Sequence, residues 1–250
     1  MVATVLTSDK LLVYGLEYAG FGLEALVCFL LTRQGRWRRL KGLYVYLGCL
    51  FLLDGVARSV VLNYFGQTSN EYAYFYWLSD VVLAICAFVL ICSFFRRACA
   101  AEERMWRFVR TLLVCVFVLV LGISALALTR HYSQLYTAFI VEFSQNLYFS
   151  CLVLNTMLYV MIQQFAIDDE ELGLLVCGIG VQFAGEAACL ALLHLTSGEA
   201  FARVMAMVLP PACTLGMLSI WIYAIVKTPQ AVPVGSRVQK HPGWLEAVAD

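Results

Sequence analysis

The feature that most constrains this chain is a succession of apolar runs, each long enough to cross a lipid bilayer. They occupy residues 11–31, 43–63, 72–95, 111–128, 135–165, 173–195 and 200–226. A membrane helix needs roughly 20 consecutive, mainly apolar residues at a rise of about 1.5 Å each. The runs are continuous rather than alternating in segments of about ten residues, which excludes a transmembrane barrel. Charged residues make up 14% of the chain and hydrophobic ones 62%. A soluble domain carries about a quarter charged residues, so this chain lacks the polar surface to cover itself in water. The expected fold is an all-α membrane protein, a bundle of seven transmembrane helices over residues 1–227. The remainder, 228–250, contains Pro229, Pro233 and Pro242 and reads as a flexible cytoplasmic tail.

Orientation follows from the connectors. One side carries Arg33, Arg36, Arg38, Arg39 and Lys41, then Arg96, Arg97, Arg104, Arg107 and Arg110, then Lys227, Arg237 and Lys240. The other carries Lys10 and Arg130. Basic connectors stay cytoplasmic, so the N-terminus is expected outside and the C-terminus inside. The acidic run Asp168, Asp169, Glu170 and Glu171 falls on the basic side, where it reads as a solvated helix end. Residues 1–10 lack a basic leader, and the first run is expected to remain as a span rather than be cleaved.

Several chemistries are disfavoured. The ten cysteines fall inside apolar runs, apart from Cys99 in a basic connector, with no C-x-x-C pair; they read as reduced packing residues without a metal. Retinal needs a lysine within a span, and Lys10, Lys41, Lys227 and Lys240 all lie outside or at span ends. The string at 102–107 matches the E-E-x-x-x-R of CAAX-type membrane proteases. It lacks their accompanying span histidines, falls in the basic connector and reads as chance. His131 and His194 sit near outer span ends without a ligand pattern. No enzyme activity, cofactor or metal is expected, and the zero net charge gives no reason to expect a nucleic-acid partner.

The informative residues are ionisable groups inside spans, each costing on the order of 2.5–3.5 kcal/mol to insert. They are Glu17 and Glu24, Asp54 and Arg58, Asp80, Glu142, Glu186 and Arg203. The fourth run has none and is expected at the periphery. By helical rise, Glu17, Arg58, Asp80, Glu142, Glu186 and Arg203 fall in one layer of the outer half, with Trp77 among many aromatics there. Glu24 and Asp54 lie deeper, and Asp54 and Arg58 form an i, i+4 pair. Two accounts stay open: an internal polar network that fixes helix register, or an outward-facing site for a cation, an amine or a proton. The aromatics allow two accounts as well, an interfacial belt or the wall of a pocket. Gly178, Gly180, Ala184, Gly185 and Ala188 predict a close-packed seam on the sixth helix, and Pro210 and Pro211 a kink in the seventh.

The segment Tyr74-Phe75-Tyr76-Trp77-Leu78-Ser79-Asp80, leading into a helix that ends Phe94-Phe95-Arg96, resembles one in uncharacterised stand-alone seven-span proteins of soil bacteria, notably acidobacteria. That resemblance implies a bacterial inner-membrane protein and no particular activity. The expected function is a sensory or ligand-binding seven-helix module. It would sit in the lipid bilayer and pass its signal to a cytoplasmic or membrane partner. The alternatives are a small transporter or proton/cation conduit, and a structural accessory subunit of a membrane complex.

Overall fold

A computed structural model describes residues 2–66, 69–100, 102–128, 135–165, 169–195 and 200–227; the tail from 228 onward lies outside the described residues. Everything regular among them is helical, with no strand. We number the long helices α1 (Val2–Arg33), α2 (Lys41–Phe65), α3 (Asn70–Ala98), α4 (Glu103–Leu128), α5 (Leu135–Gln164), α6 (Glu170–Leu195) and α7 (Ala200–Lys227). Six of them, α2 to α7, contain described stretches long and apolar enough to cross a membrane.

The helix ends have local causes. Gly35, with φ 65°, follows the last turn of α1, and Gly66, with φ 79°, closes α2. Both take the positive φ that glycine adopts without a Cβ penalty. Ser69 caps α3 by accepting the Tyr72 amide at 3.1 Å, and Asp169 caps α6 by accepting the Leu172 amide at 3.1 Å. Each satisfies a backbone donor that the first helical turn leaves free. Helix α4 starts at Glu103, eight residues before its apolar run. The E-E-x-x-x-R string therefore lies on the first turns of a helix rather than in a connector.

Helices α1, α2, α3, α5, α6 and α7 pack in that order as a closed ring, with α3 also meeting α6 across it. Among the described residues, helix α4 touches α5 and, more lightly, α3 and no other helix, so the helix without buried charge is peripheral, as expected. The most extensive packing is between α6 and α7. A Cβ on Gly178 would stand 2.6 Å from Trp221 Nε1, and one on Gly185 would stand 2.4 Å from Cys213 Sγ. These two glycines, two turns apart, let the helices approach closely. The indole of Trp221, fully buried there, donates to the Leu175 carbonyl at 2.9 Å. Ala184 and Ala188 face outward, so the seam is narrower than the run of small residues suggests. Helix α7 continues through Pro210 and Pro211, and the Thr214 hydroxyl donates to the Pro210 carbonyl at 3.0 Å.

Helix α2 is not uniform. Between α-helical stretches, Leu50–Ala57 winds as a π-helix. An i→i+5 turn of this kind is uncommon and tends to occur at functional sites. Here it carries Asp54 and delivers Arg58 at its end. Gly55 is buried within it, where a Cβ would press to 3.1 Å from the Phe21 ring of α1.

The acidic run contradicts expectation. Asp168 lies outside the described residues, but Glu171 is 1% exposed and is no solvated helix end. Its carboxylate accepts from Arg36 at 3.0 Å and Arg97 at 2.6 Å, and lies 3.6 Å from Arg39. Arg97 also donates twice to Asp169, both at 2.8 Å. Glu170 pairs with Lys227. Four elements are thus tied at one end: the α1–α2 connector, the end of α3, the start of α6 and the end of α7.

Candidate functional site

Arg58 is the centre of the buried charge. Helix α2 holds it against α3, where its Nε donates to the Ser79 hydroxyl at 2.9 Å. Its Nη1 donates to Asp54 one turn back, realising the i, i+4 pair. Its Nη2 lies 3.9 Å from Asp80. The guanidinium carbon stands 4.3 Å from the Tyr76 ring centroid, within cation–π range. The Ser79 hydroxyl donates a hydrogen bond to the Tyr76 carbonyl at 2.8 Å, which leaves its oxygen lone pairs free to accept from Arg58. One guanidinium is therefore held by two carboxylates, a hydroxyl and a ring.

Asp80 is shared across the ring of helices, because Ser144 and Tyr148 of α5 hydrogen-bond its carboxylate. On α6, Gln182 donates to Glu186 at 2.8 Å. The Glu186 carboxylate lies within electrostatic reach of both Asp80 and Asp54. On α1, Glu24 is 2% exposed, and Asp54 is its charged neighbour. Tyr46, buried beneath this group, packs edge-to-face on Trp221 at 6.1 Å and lies near Glu24, Asp54 and Glu186. It separates the polar layer from the apolar core of Leu43, Leu47, Leu175 and Leu218.

Among the described residues the group formally holds four carboxylates, Glu24, Asp54, Asp80 and Glu186, against one guanidinium, that of Arg58. Two acceptors in it, Glu24 Oε2 and Gln182 Oε1, are buried without a hydrogen-bond partner among the described residues. Unpaired buried acceptors and an excess of like charge are both costly in an apolar medium. Arg58 Nη2, a donor of the same group, is likewise buried without a hydrogen-bond partner among the described residues, so it is the excess of acid that favours whatever brings positive charge or a donor proton. Among the described residues, no group of histidine, cysteine or acidic side chains is placed to hold a metal ion, and all ten cysteines are free.

Of the residues singled out in the sequence, Arg58, Asp80 and Glu186 come together in this group. Trp77 does not reach Arg58; it packs edge-to-face on Tyr76 at 5.5 Å, and Tyr76 makes the contact. Glu142 is half-buried on α5 and forms no ion pair among the described residues. The side chains of Glu17 and Arg203 lie outside the described residues. Glu24 and Asp54 belong to the group although their depth had set them apart. The aromatics divide between both accounts: Tyr18, Tyr64 and Tyr74 face outward, whereas Tyr148 and Phe143 face the interior.

Comparison with protein-family models, with curated proteins and with solved structures finds no match to this chain.

Proposed function

We propose that α1 is a seventh span, that the N-terminus is outside and the C-terminus cytoplasmic, and that the chain is a sensory or ligand-binding module without enzymatic activity. The resemblance of its Tyr74 to Asp80 segment supports a bacterial inner membrane as its location. The ligand is a small cation, an amine or a proton, taken up by the acid-rich interior, and the response passes to a partner chain. One observation carries this reading: Asp54 of α2 and Asp80 of α3 meet on Arg58, Glu24 of α1 and Glu186 of α6 lie within electrostatic reach of those carboxylates rather than of a second cation, and two buried acceptors have no partner among the described residues. An added positive charge would compete with Arg58 for Asp54 and Asp80 and so shift α2 against α3. The rival reading, a small transporter or proton/cation conduit, draws on the same residues. It would gain from interrupted helices in matching positions, and the π segment of α2 and the prolines of α7 do not match in that way.

The test uses Asp80→Asn and Glu186→Gln, which keep shape and remove charge. Purified wild type should gain thermal stability in millimolar methylammonium or at lower pH relative to sodium chloride at neutral pH. Both variants should fold and lose that gain. A purely structural network behaves differently. Breaking a buried pair costs about 3–5 kcal/mol, and neutralising Arg58 in the same chain would then recover part of the loss. Large, mutually compensating losses without any ligand effect would overturn the binding reading.

A further inference from the structure

We propose that the groove between α4 and α5 is a binding site for an anionic phospholipid of the leaflet on the arginine-rich side. The groove has a volume of about 780 Å³ and is walled by Met105, Phe108 and Val109 of α4 and by Val153, Met157 and Met161 of α5. It runs along residues 152–165 of α5, about 20 Å at 1.5 Å per residue, which spans the roughly 15 Å of one leaflet's hydrocarbon. An acyl chain lying along the helices has that length and that chemistry.

The walls argue against a partner helix. Helix seams in membranes are made by small residues that let backbones meet, as Gly178 and Gly185 do between α6 and α7. This groove offers three methionines and two phenylalanines instead, bulky side chains of which the methionines adapt to a flexible chain. Its mouth supplies the charge complementarity. Arg104 precedes Phe108 by one turn on the same face, Arg107 follows on the outer side of α4, and both are exposed. Round the helix from Phe108, Arg104 stands about 40° away and Arg107 about 100°, against about 120° for Glu102 and about 140° for Glu103, so the basic side chains are the nearer to the groove. Gln164 at the end of α5 adds an amide to the rim. Basic side chains at a membrane surface attract anionic headgroups, and Arg in particular presents paired donors to a phosphate. The peripheral position of α4, packed among the described residues on α5 and α3, leaves this face to lipid.

The experiment uses the full-length wild-type chain in detergent micelles and phosphatidylglycerol carrying a diazirine on one acyl chain. Photo-adducts should map to residues 105–109 and 152–165. Unlabelled phosphatidylglycerol should compete roughly tenfold better than phosphatidylcholine, a difference of about 1.4 kcal/mol. The double variant Arg104→Gln, Arg107→Gln should label with both lipids alike. Val153→Trp, at an exposed position where an indole fills the groove without entering the core, should abolish labelling there. Equal competition by the two lipids in wild type would overturn the proposal. So would adducts spread evenly over the apolar surface, or cross-linking of two chains through this face.

Discussion

Replacing Glu171 by alanine should be the most destabilising single change at the arginine-rich end of the bundle. The carboxylate accepts from Arg36 and Arg97, whose side chains are 10% and 16% exposed, at 3.0 and 2.6 Å. Hydrogen bonds to charged groups contribute about 1.5–3 kcal/mol each. The looser contact with Arg39, half exposed at 3.6 Å, adds at most about 1 kcal/mol. Against this, Arg97 keeps both bonds to Asp169, so its stranded charge is partly compensated. The net loss should be about 3–5 kcal/mol, the range for breaking one side of a buried pair. Glu171→Gln retains an acceptor and the shape, and should cost roughly half as much. The assay is equilibrium unfolding of the purified chain by SDS in mixed micelles, followed by circular dichroism. A cycle with Arg97→Gln should show coupling above about 1 kcal/mol, since the two side chains are in contact. A loss below about 1 kcal/mol for Glu171→Ala, or additive single changes, would refute the clamp.

Gly178→Ala and Gly185→Ala should each cost about 1–3 kcal/mol by the same unfolding assay, because the added methyl meets Trp221 at 2.6 Å and Cys213 at 2.4 Å. Gly122→Ala, which meets nothing within 4 Å, should be neutral or stabilise by up to about 1 kcal/mol through helix propensity. Losses of equal size at all three positions would show that packing is not the cause. For the proposed topology, a reporter active only in the cytoplasm should work when fused after Lys227, and a cysteine placed near Thr68 should label from outside. Labelling from the cytoplasm alone would reverse the orientation.

What the sequence reveals and what it hides separate along a physical line. The bilayer imposes a length on every apolar run, so six spans can be read directly from composition. The same cost of exposing charge to lipid explains why the peripheral place of α4 was legible: its apolar run needs no shelter. The Asp54–Arg58 pair and the Gly178–Gly185 seam follow from helical periodicity, which is local. The π segment is local too, yet eight residues at an i→i+5 period leave no repeat that an α-helical pattern would not also fit. Choosing Tyr76 over Trp77 as the ring on Arg58 turns on one residue, about 100° of helix rotation, and needs the neighbouring helix to decide it. Glu24 was set apart by depth because its inward direction depends on how α1 meets α2. Glu171 was misread for a related reason. Nothing near it in the sequence announces that arginines 74 and 135 positions away fold over it. Hydropathy marked the apolar run of α4 but not where the helix begins, since its first turns carry Arg104, Arg107 and Arg110 among their apolar residues.

The clamp at Glu171 also bears on how such a chain is made. Under the proposed topology, Arg36, Arg39 and Arg97 belong to the basic connectors that hold their side of the chain in the cytoplasm during insertion. Synthesis runs from the N-terminus, so these arginines emerge, and orient the first helices, well before Glu171 exists. When α6 arrives, its carboxylates neutralise the charges that did the orienting. The electrostatic signal read by the insertion machinery is thus a transient property of the nascent chain, converted on completion into a fastener. The charge that the finished surface shows to the cytoplasm is left to other arginines, Arg104 and Arg107 among them.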